Sequence, residues 1–283
     1  MIHVKNLNFT YQGNKTPTVR GLCFDVASGE ILGFLGPSGA GKSTVQKILI
    51  RLLKGYSGEI SVMNKPLSAW DHTYYEHIGV GFELPNHYLK LSARENLLFF
   101  ASFYRRKTAD PMELLAMVGL GPDADKRVEE FSKGMKMRLN FVRALLHDPE
   151  ILFFDEPTSG LDPLNARIMK DIIIQQKNRG KTIFLTTHNM HDANELCDQV
   201  AFISEGEIRT LDTPRQLRLD YGQKIVEIEY RNGSLRKEAF PLENLAGNGD
   251  FQQVLQNYPL ESIHSKEASL EDIFIQVTGK RLI

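Results

Sequence analysis

Residues 36–44 read Gly36-Pro37-Ser38-Gly39-Ala40-Gly41-Lys42-Ser43-Thr44, which matches the pattern GxxxxGK[ST] of a phosphate-binding loop. An apolar run before the loop predicts a strand, and apolar residues at helical spacing after it predict a helix from about Lys42 to Leu53. The glycines allow backbone N–H groups to turn towards phosphate oxygens, and the helix N-terminus adds partial positive charge. We therefore expect the loop to hold the phosphates of a nucleotide, with Lys42 at the β- and γ-phosphates and Ser43 as a ligand of Mg²⁺.

Two consecutive acids, Asp155 and Glu156, follow the apolar run of residues 151–154, which predicts a buried strand. Taken alone they could be two solvated acids at a strand end, but the same chain carries a phosphate loop. We expect Asp155 to hold Mg²⁺ and Glu156 to act as the general base on the attacking water. His188 follows a second predicted strand, Thr182 to Thr186, where α/β sheets bind ligands, and is expected to sense the γ-phosphate.

Composition restricts the class of protein. The chain has 283 residues, 42% hydrophobic residues and a formal net charge of -1, so no global basic surface for nucleic acid is present. The two cysteines, Cys23 and Cys197, are not in a CxxC pair and are expected to be reduced thiols in the cytosol. No signal peptide and no apolar run long enough to cross a bilayer are visible in the sequence.

The pattern along the chain predicts two domains. Residues 1–215 alternate between predicted strands and helices, interrupted at about 84–150 by a helical subdomain in which Ser92 and Glu95 form a capping box. Residues 222–283 are expected to form a small α+β appendage, with a hairpin turn at Asn232-Gly233 and a helix from Leu270 to Thr278.

The order of the motifs carries a family resemblance. The phosphate loop is followed by Phe131 to Arg138, by Asp155-Glu156, by Ser159-Gly160-Leu161-Asp162 and by His188. This order resembles an ABC ATPase over about residues 2–215. The segment Ser269 to Phe274 is similar to one in the ATP-binding subunits of bacterial export-type ABC transporters. The resemblance implies an α/β fold: a phosphate-loop core with an antiparallel β subdomain and a helical subdomain, plus the α+β appendage.

The resemblance also implies roles for single residues. Tyr11 would stack on adenine, which is favoured over the alternative that it is one more strand aromatic. Ser132 and Gly134 belong to the loop that a partner subunit presses against the γ-phosphate, and Asp162 would help to join the two subunits. Lys133 replaces a glycine of the usual signature and adds a cation near the phosphate.

Glu83 is a second departure, because the family normally has Gln at this position. The resemblance places this residue at Mg²⁺ and gives it the relay of nucleotide state to a membrane partner. The alternative is that Glu83 points to solvent or pairs with a nearby base such as Lys90.

The implied function is ATP hydrolysis, with Mg²⁺, by a dimer of ATP-binding subunits that drives transport, in the export direction, through a separate integral membrane permease. The subunit would be cytoplasmic, held peripherally on the inner face of the membrane by that permease. We expect the permease to dock in a groove near residues 83–91 that includes Pro85, His87, Tyr88 and Leu89.

Two other classes of protein agree less well with the sequence. A soluble ABC ATPase acting on nucleic acid or ribosomes usually has two cassettes or long coiled coils, which this chain lacks. The second is a plain phosphate-loop kinase or GTPase. The NKxD motif that reads guanine is absent, because Asn64-Lys65-Pro66-Leu67 lacks the Asp, and the segment Phe131 to Arg138 also argues against this class. No nucleic-acid partner is expected.

Overall fold

A computed structural model describes residues 1–222, 224–266 and 268–280. It consists of two compact units, one formed by Met1–Thr213 and the other beginning at Pro214. No helix in the described ranges is long and apolar enough to cross a membrane.

The first unit contains ten strands and six α-helices among its described residues. The strands are β1 (Ile2–Phe9), β2 (Val19–Val26), β3 (Ile31–Leu35), β4 (Ser57–Val62), β5 (Lys65–Pro66), β6 (Ile78–Gly81), β7 (Ile151–Asp155), β8 (Thr182–Thr187), β9 (Gln199–Ser204) and β10 (Glu207–Asp212). The helices are α1 (Lys42–Leu49), α2 (Ala93–Ala101), α3 (Pro111–Met117), α4 (Lys133–Leu145), α5 (Pro163–Asn178) and α6 (Met190–Leu196).

The central sheet has the strand order β10-β9-β3-β8-β7-β6, and every pair is parallel except β10 with β9. Strands β3, β7 and β8 are buried along their whole length, as expected for apolar runs in a sheet covered on both faces. The order places β8 between β3 and β7, so the loops after these three strands share one edge of the sheet.

A second, antiparallel sheet has the order β2-β1-β4-β5 and packs against the central sheet through a common apolar core. Phe24 of β2 meets Phe34 of β3 with ring centroids 4.9 Å apart. The expected antiparallel β subdomain is therefore present, and it includes β4, which the sequence pattern had not predicted.

Helices α2 to α4 form the helical region. The capping box predicted at the start of α2 is present: the Ser92 side chain accepts from Glu95 N, and the Glu95 carboxylate accepts from Ser92 N. Helix α1 ends at Leu49 rather than at the predicted Leu53, because Arg51 adopts a φ of 64° that a helix cannot continue through.

The second unit contains α7 (Pro214–Tyr221), β11 (Ile225–Asn232), β12 (Ser234–Pro241), α8 (Gly249–Asn257), β13 (Leu260–Ser265) and α9 (Leu270–Thr278). The three strands form an antiparallel sheet in the order β12-β11-β13, with α8 packed on one face through Val254. The hairpin at Asn232-Gly233 is confirmed, with Gly233 at a φ of 71°. Helix α9 has the predicted bounds.

Candidate active site

The predicted site residues meet at the carboxyl ends of neighbouring strands. The phosphate loop follows β3, His188 follows β8, Asp155 ends β7, and Glu83 lies just after β6. They enclose a cavity of about 550 Å³. Its lining residues are Tyr11, Asn14, Thr18, Ser38, Gly39, Ala40, Gly41, Lys42, Ser43, Thr44, Glu83, Asp155, Glu156 and His188.

The phosphate loop has a backbone that only glycine can supply at Gly36. A Cβ at that position would lie 2.2 Å from the carbonyl oxygen of Ile203, so the loop passes directly over β9. Gly41 precedes α1 with a φ of 108°, in the left-handed region. The Lys42 ammonium donates to the carbonyl oxygens of Gly36 and Pro37 at 2.6 and 3.2 Å. Gly36 and Pro37 are not among the residues that line the cavity.

Burial lowers the pKa of Lys42, and the negative charges of Glu156, Asp155 and Glu83 oppose that shift. The ammonium therefore lies in the field of all three carboxylates. An incoming phosphate would compete with two carbonyl oxygens for the same donors.

Asp155 and Ser43 supply oxygen atoms from two different elements to one point. Ser43 Oγ donates to Asp155 Oδ1 at 3.3 Å, and the buried Thr186 hydroxyl donates to the same carboxylate oxygen. A hydroxyl beside a carboxylate at the start of a helix is the oxygen donor set that Mg²⁺ prefers. These residues fit a Mg²⁺ ion next to the phosphate loop.

Glu156 is buried at 7% exposure, and both of its carboxylate oxygens have partners. Oε1 lies 2.8 Å from His188 Nδ1, and Oε2 accepts from the Thr187 hydroxyl at 3.1 Å. Burial raises the pKa of Glu156, while the bonds from His188 and Thr187 and the Lys42 charge pull it down. A carboxylate of raised pKa at the mouth of a phosphate site is suited to accept a proton from water.

Tyr11 and Glu83 both line the cavity, but their contacts differ. The half-buried Tyr11 ring packs edge-on against Phe9, and its hydroxyl lies 3.2 Å from Thr44 Oγ1. Glu83 is exposed, and Lys90, the alternative partner, is paired with Glu129 at 2.7 Å. The structure therefore does not contain the surface pair of Glu83 with Lys90, and the exposed Glu83 side chain lies at the edge of the nucleotide cavity.

Ser132, Gly134 and Asp162 lie outside the cavity lining of the described chain. Ser132 is the N-cap of α4 and accepts from Met135 N at 3.2 Å; Asp162 is the N-cap of α5 and accepts from Asn165 N at 3.0 Å. Both side chains are exposed. One copy of the chain does not bring these three residues to its own phosphate loop.

The groove expected near residues 83–91 differs from the prediction: Pro85, His87, Tyr88 and Leu89 do not line the groove that lies beside the nucleotide cavity. His87 is buried, because its imidazole Nε2 lies 2.9 Å from the carbonyl oxygen of Lys136 in α4, and it does not line a surface. Leu84 and Tyr88 are exposed at 76% and 49%. The actual groove, about 600 Å³, begins at Ser43, Glu83 and Asp155. Its other lining residues are mostly apolar or aromatic, with Lys47, Asn86 and Arg143 among them, and the remainder are Tyr75, Ile78, Val80, Phe82, Leu84, Phe100, Tyr104 and Ala144.

Several contributing residues were not predicted from the sequence. Thr186 and Thr187 hold the two acids, and Asn140 in α4 donates to the carbonyl oxygen of Phe82 at 2.7 Å, next to Glu83. The two threonines could have been predicted from the sequence, because they end β8, the strand that lies beside the strand of the two acids. Asn140 carries no such signal, because its partner is a backbone atom 58 residues away.

Comparison with known proteins identifies the family. The profile described as ABC transporter matches residues 19–159, and one described as fluoroquinolone efflux ABC transporter C-terminal domain matches residues 224–267. A fluoroquinolones export ATP-binding protein of Mycobacterium tuberculosis (strain ATCC 25618 / H37Rv) is 55% identical over 100% of this chain and 94% of that protein. A Nod factor export ATP-binding protein I of Rhizobium sp. (strain N33) is 36% identical over 93% of both chains.

Solved structures give the same result for the fold. An ATP-binding subunit of an ABC transporter has a TM-score of 0.71 and 29% identity over 78% of this chain and 93% of that one. A dimeric, post-hydrolysis ATP-binding cassette bound to ADP and Pi has a TM-score of 0.69 and 26% identity over 75% of this chain and 98% of that one. These relatives do not support the alternative of an ATPase acting on nucleic acid or ribosomes. The chain belongs to the ABC transporter family, as an ATP-binding subunit with ATPase activity.

Proposed function

We propose that the chain powers an exporter, as one of two ATP-binding subunits that bind ATP and Mg²⁺ between them. The observation that carries the proposal is the cavity itself. A phosphate loop, a Mg²⁺-type donor pair and the buried carboxylate of Glu156 line one space of about 550 Å³.

The chemistry that this arrangement supports is attack of water on the γ-phosphorus. The water oxygen forms a bond to phosphorus, the bond from phosphorus to the β–γ bridging oxygen breaks, and ADP leaves with that electron pair. Glu156 accepts the proton that the water loses, and Lys42 neutralises charge on the β- and γ-phosphates. Bound Mg²⁺, held by Ser43 and Asp155, would supply further neutralisation of phosphate charge. His188, next to Glu156, would sense the γ-phosphate.

A second subunit would complete the site. Helix α4 begins with the Ser132 cap, has Lys133 and Lys136 in its first turn, and has no acid there. Cations at the positive end of a helix dipole are unfavourable unless an anion is bound nearby. Because this end of α4 does not line its own cavity in the described chain, we propose that it contacts the γ-phosphate held by a partner subunit, with Asp162 at the interface.

The groove beside the nucleotide cavity would receive a cytoplasmic helix of a membrane permease. It joins Glu83 at the cavity to the exposed side chains of Leu84 and Tyr75, so movement at the nucleotide could reach the docked helix. The subunit would then sit on the inner face of the membrane. The named relatives support the export direction, with fluoroquinolone-type compounds as the first substrates to test.

Cysteine cross-linking tests the docking. Leu84→Cys and Tyr75→Cys, at two exposed residues that line the groove, should form a cross-link in membranes to a candidate permease that is co-expressed with each variant. Leu52→Cys, exposed at 56% outside the groove, is the matched control and should not. If Leu52→Cys cross-links as efficiently as both groove variants, the docking proposal is wrong. Export is measured separately, as drug susceptibility of cells carrying both genes.

A further inference from the structure

Thr187, the last residue of β8, forms a hydrogen bond that fixes one carboxylate oxygen of Glu156, the candidate general base. Thr187 is 1% exposed, and its hydroxyl accepts from Asn189 N at 3.0 Å while it donates to Glu156 Oε2 at 3.1 Å. A hydroxyl has a single proton. Because Asn189 N occupies the hydroxyl as an acceptor, that proton is directed to the carboxylate.

The register of the sheet places Thr187 one residue beyond the last pair of β7 and β8. Strands β7 and β8 are parallel, with Asp155 opposite Thr186, and successive side chains of a strand point to opposite faces. Thr186 bonds Asp155, and Thr187, the next residue of β8, bonds Glu156, which lies one residue beyond the end of β7. Two consecutive threonines hold two consecutive acids.

Glu156 needs such support because its backbone is unusual. Its φ is 50°, in the left-handed region that non-glycine residues rarely adopt, and its backbone N–H donates to the carbonyl oxygen of Thr186 at 3.0 Å. The chain turns sharply here, so the strand no longer determines where the side chain points. Hydrogen bonds from β8 do so instead.

The two carboxylate oxygens are not equivalent. Oε2 faces the buried Thr187, whereas Oε1 faces His188, whose side chain is 59% exposed and lines the nucleotide cavity. We propose that Thr187 is a positioning residue that holds Glu156 Oε2, so that Oε1 is the oxygen presented to the attacking water. This inference rests on the proposed role of Glu156 as the general base.

The test compares three variants of the full-length chain by ATP turnover in the presence of Mg²⁺. Thr187→Val keeps the shape and removes the hydroxyl, and should lower kcat about 10–100-fold, as removal of an orienting partner typically does. KM for ATP should stay within about twofold, because the phosphate loop binds the nucleotide. Thr187→Ser restores the hydroxyl and should restore kcat.

Thr182→Val is the matched control, since Thr182 is a buried threonine at the other end of the same strand, where its hydroxyl accepts from Gly29 N at 3.0 Å. Thr182→Val is the same substitution in the same strand, but Thr182 does not bond Asp155 or Glu156. The kcat of this variant should match that of the wild type. Equal losses of kcat in Thr182→Val and Thr187→Val, or no recovery in Thr187→Ser, would show that Thr187 has only a structural role.

Glu156→Gln separates this inference from the proposed function. If Glu156→Gln turns over ATP normally, the general-base assignment fails; if it is inactive while Thr187→Val is normal, only the inference fails. Adding Thr187→Val to Glu156→Gln should cause no further loss, because both changes act through one carboxylate. If Thr187→Val does not fold, Thr187→Ala replaces it, and equal kcat values for Thr187→Ala and Thr187→Ser overturn the proposal.

Discussion

Two buried histidines should make the first unit sensitive to mild acid. Burial lowers the pKa of His87 from 6.5 to about 4, helped by the charges of Arg143 and Lys136 and opposed by the bond to the Lys136 carbonyl. Burial likewise lowers the pKa of His147 from 6.5 to about 4, opposed by its bond to the Ile78 carbonyl. Both rings are neutral in the folded protein at neutral pH.

The sign follows from the direction of the shift. A folded-state pKa below the unfolded value means that the unfolded chain binds protons first, so stability is full above about pH 6.5 and falls as the pH approaches 4. Each of the two histidines should therefore make the free energy of unfolding about 2 kcal/mol lower at pH 5 than at pH 7.

Urea unfolding at pH 7 and pH 5 measures this loss. His87→Gln removes the titrating ring and supplies an amide N–H that can donate to the Lys136 carbonyl oxygen. Its loss of unfolding free energy between the two pH values should therefore be about 2 kcal/mol smaller than that of the wild type. His191→Gln, at a side chain that is 80% exposed, controls for removal of a surface histidine. Equal acid losses in the wild type and His87→Gln would refute the reasoning.

Three further changes test the site. Gly36→Ala should abolish nucleotide binding or folding, since its Cβ would lie 2.2 Å from the Ile203 carbonyl oxygen; ATP binding at the wild-type level would contradict the described loop. Glu83→Gln should change the Mg²⁺ concentration needed for half-maximal ATPase activity, because it removes one carboxylate from the cavity; an unchanged Mg²⁺ profile would leave Glu83 without a metal role. Lys42→Ala and Ser132→Arg should each inactivate the dimer, yet a mixture should regain activity through one intact site per heterodimer; no recovery at any ratio, with both variants folded and pairing, would argue against shared sites.

Those parts of the site that consist of consecutive residues could be predicted from the sequence. The loop 36–44 and the pair Asp155-Glu156 are local patterns, and each follows a buried strand whose apolar run is visible. Their meeting in one cavity follows from the order of parallel strands, with β8 between β3 and β7.

Other parts depend on contacts between distant segments, which no local pattern shows. His87 was expected to line the groove together with Pro85, Tyr88 and Leu89, but its side chain is buried and its imidazole Nε2 lies within hydrogen-bond distance of the Lys136 carbonyl oxygen in α4. Strands β4 and β6 carry short, mixed patterns and are stabilised by pairing with β1 and β7. In the second unit, β13 is mostly exposed, and its strand conformation is stabilised by antiparallel pairing with β11.

The central claim is that Glu156 is the general base of an ATP-hydrolysing dimer, and Glu156→Gln tests it most directly. The variant should bind ATP as the wild type does, lose about 10²–10⁴-fold in turnover, and elute as a dimer in the presence of ATP and Mg²⁺ during size-exclusion chromatography. Turnover close to that of the wild type, measured on the same folded preparation, would contradict the account.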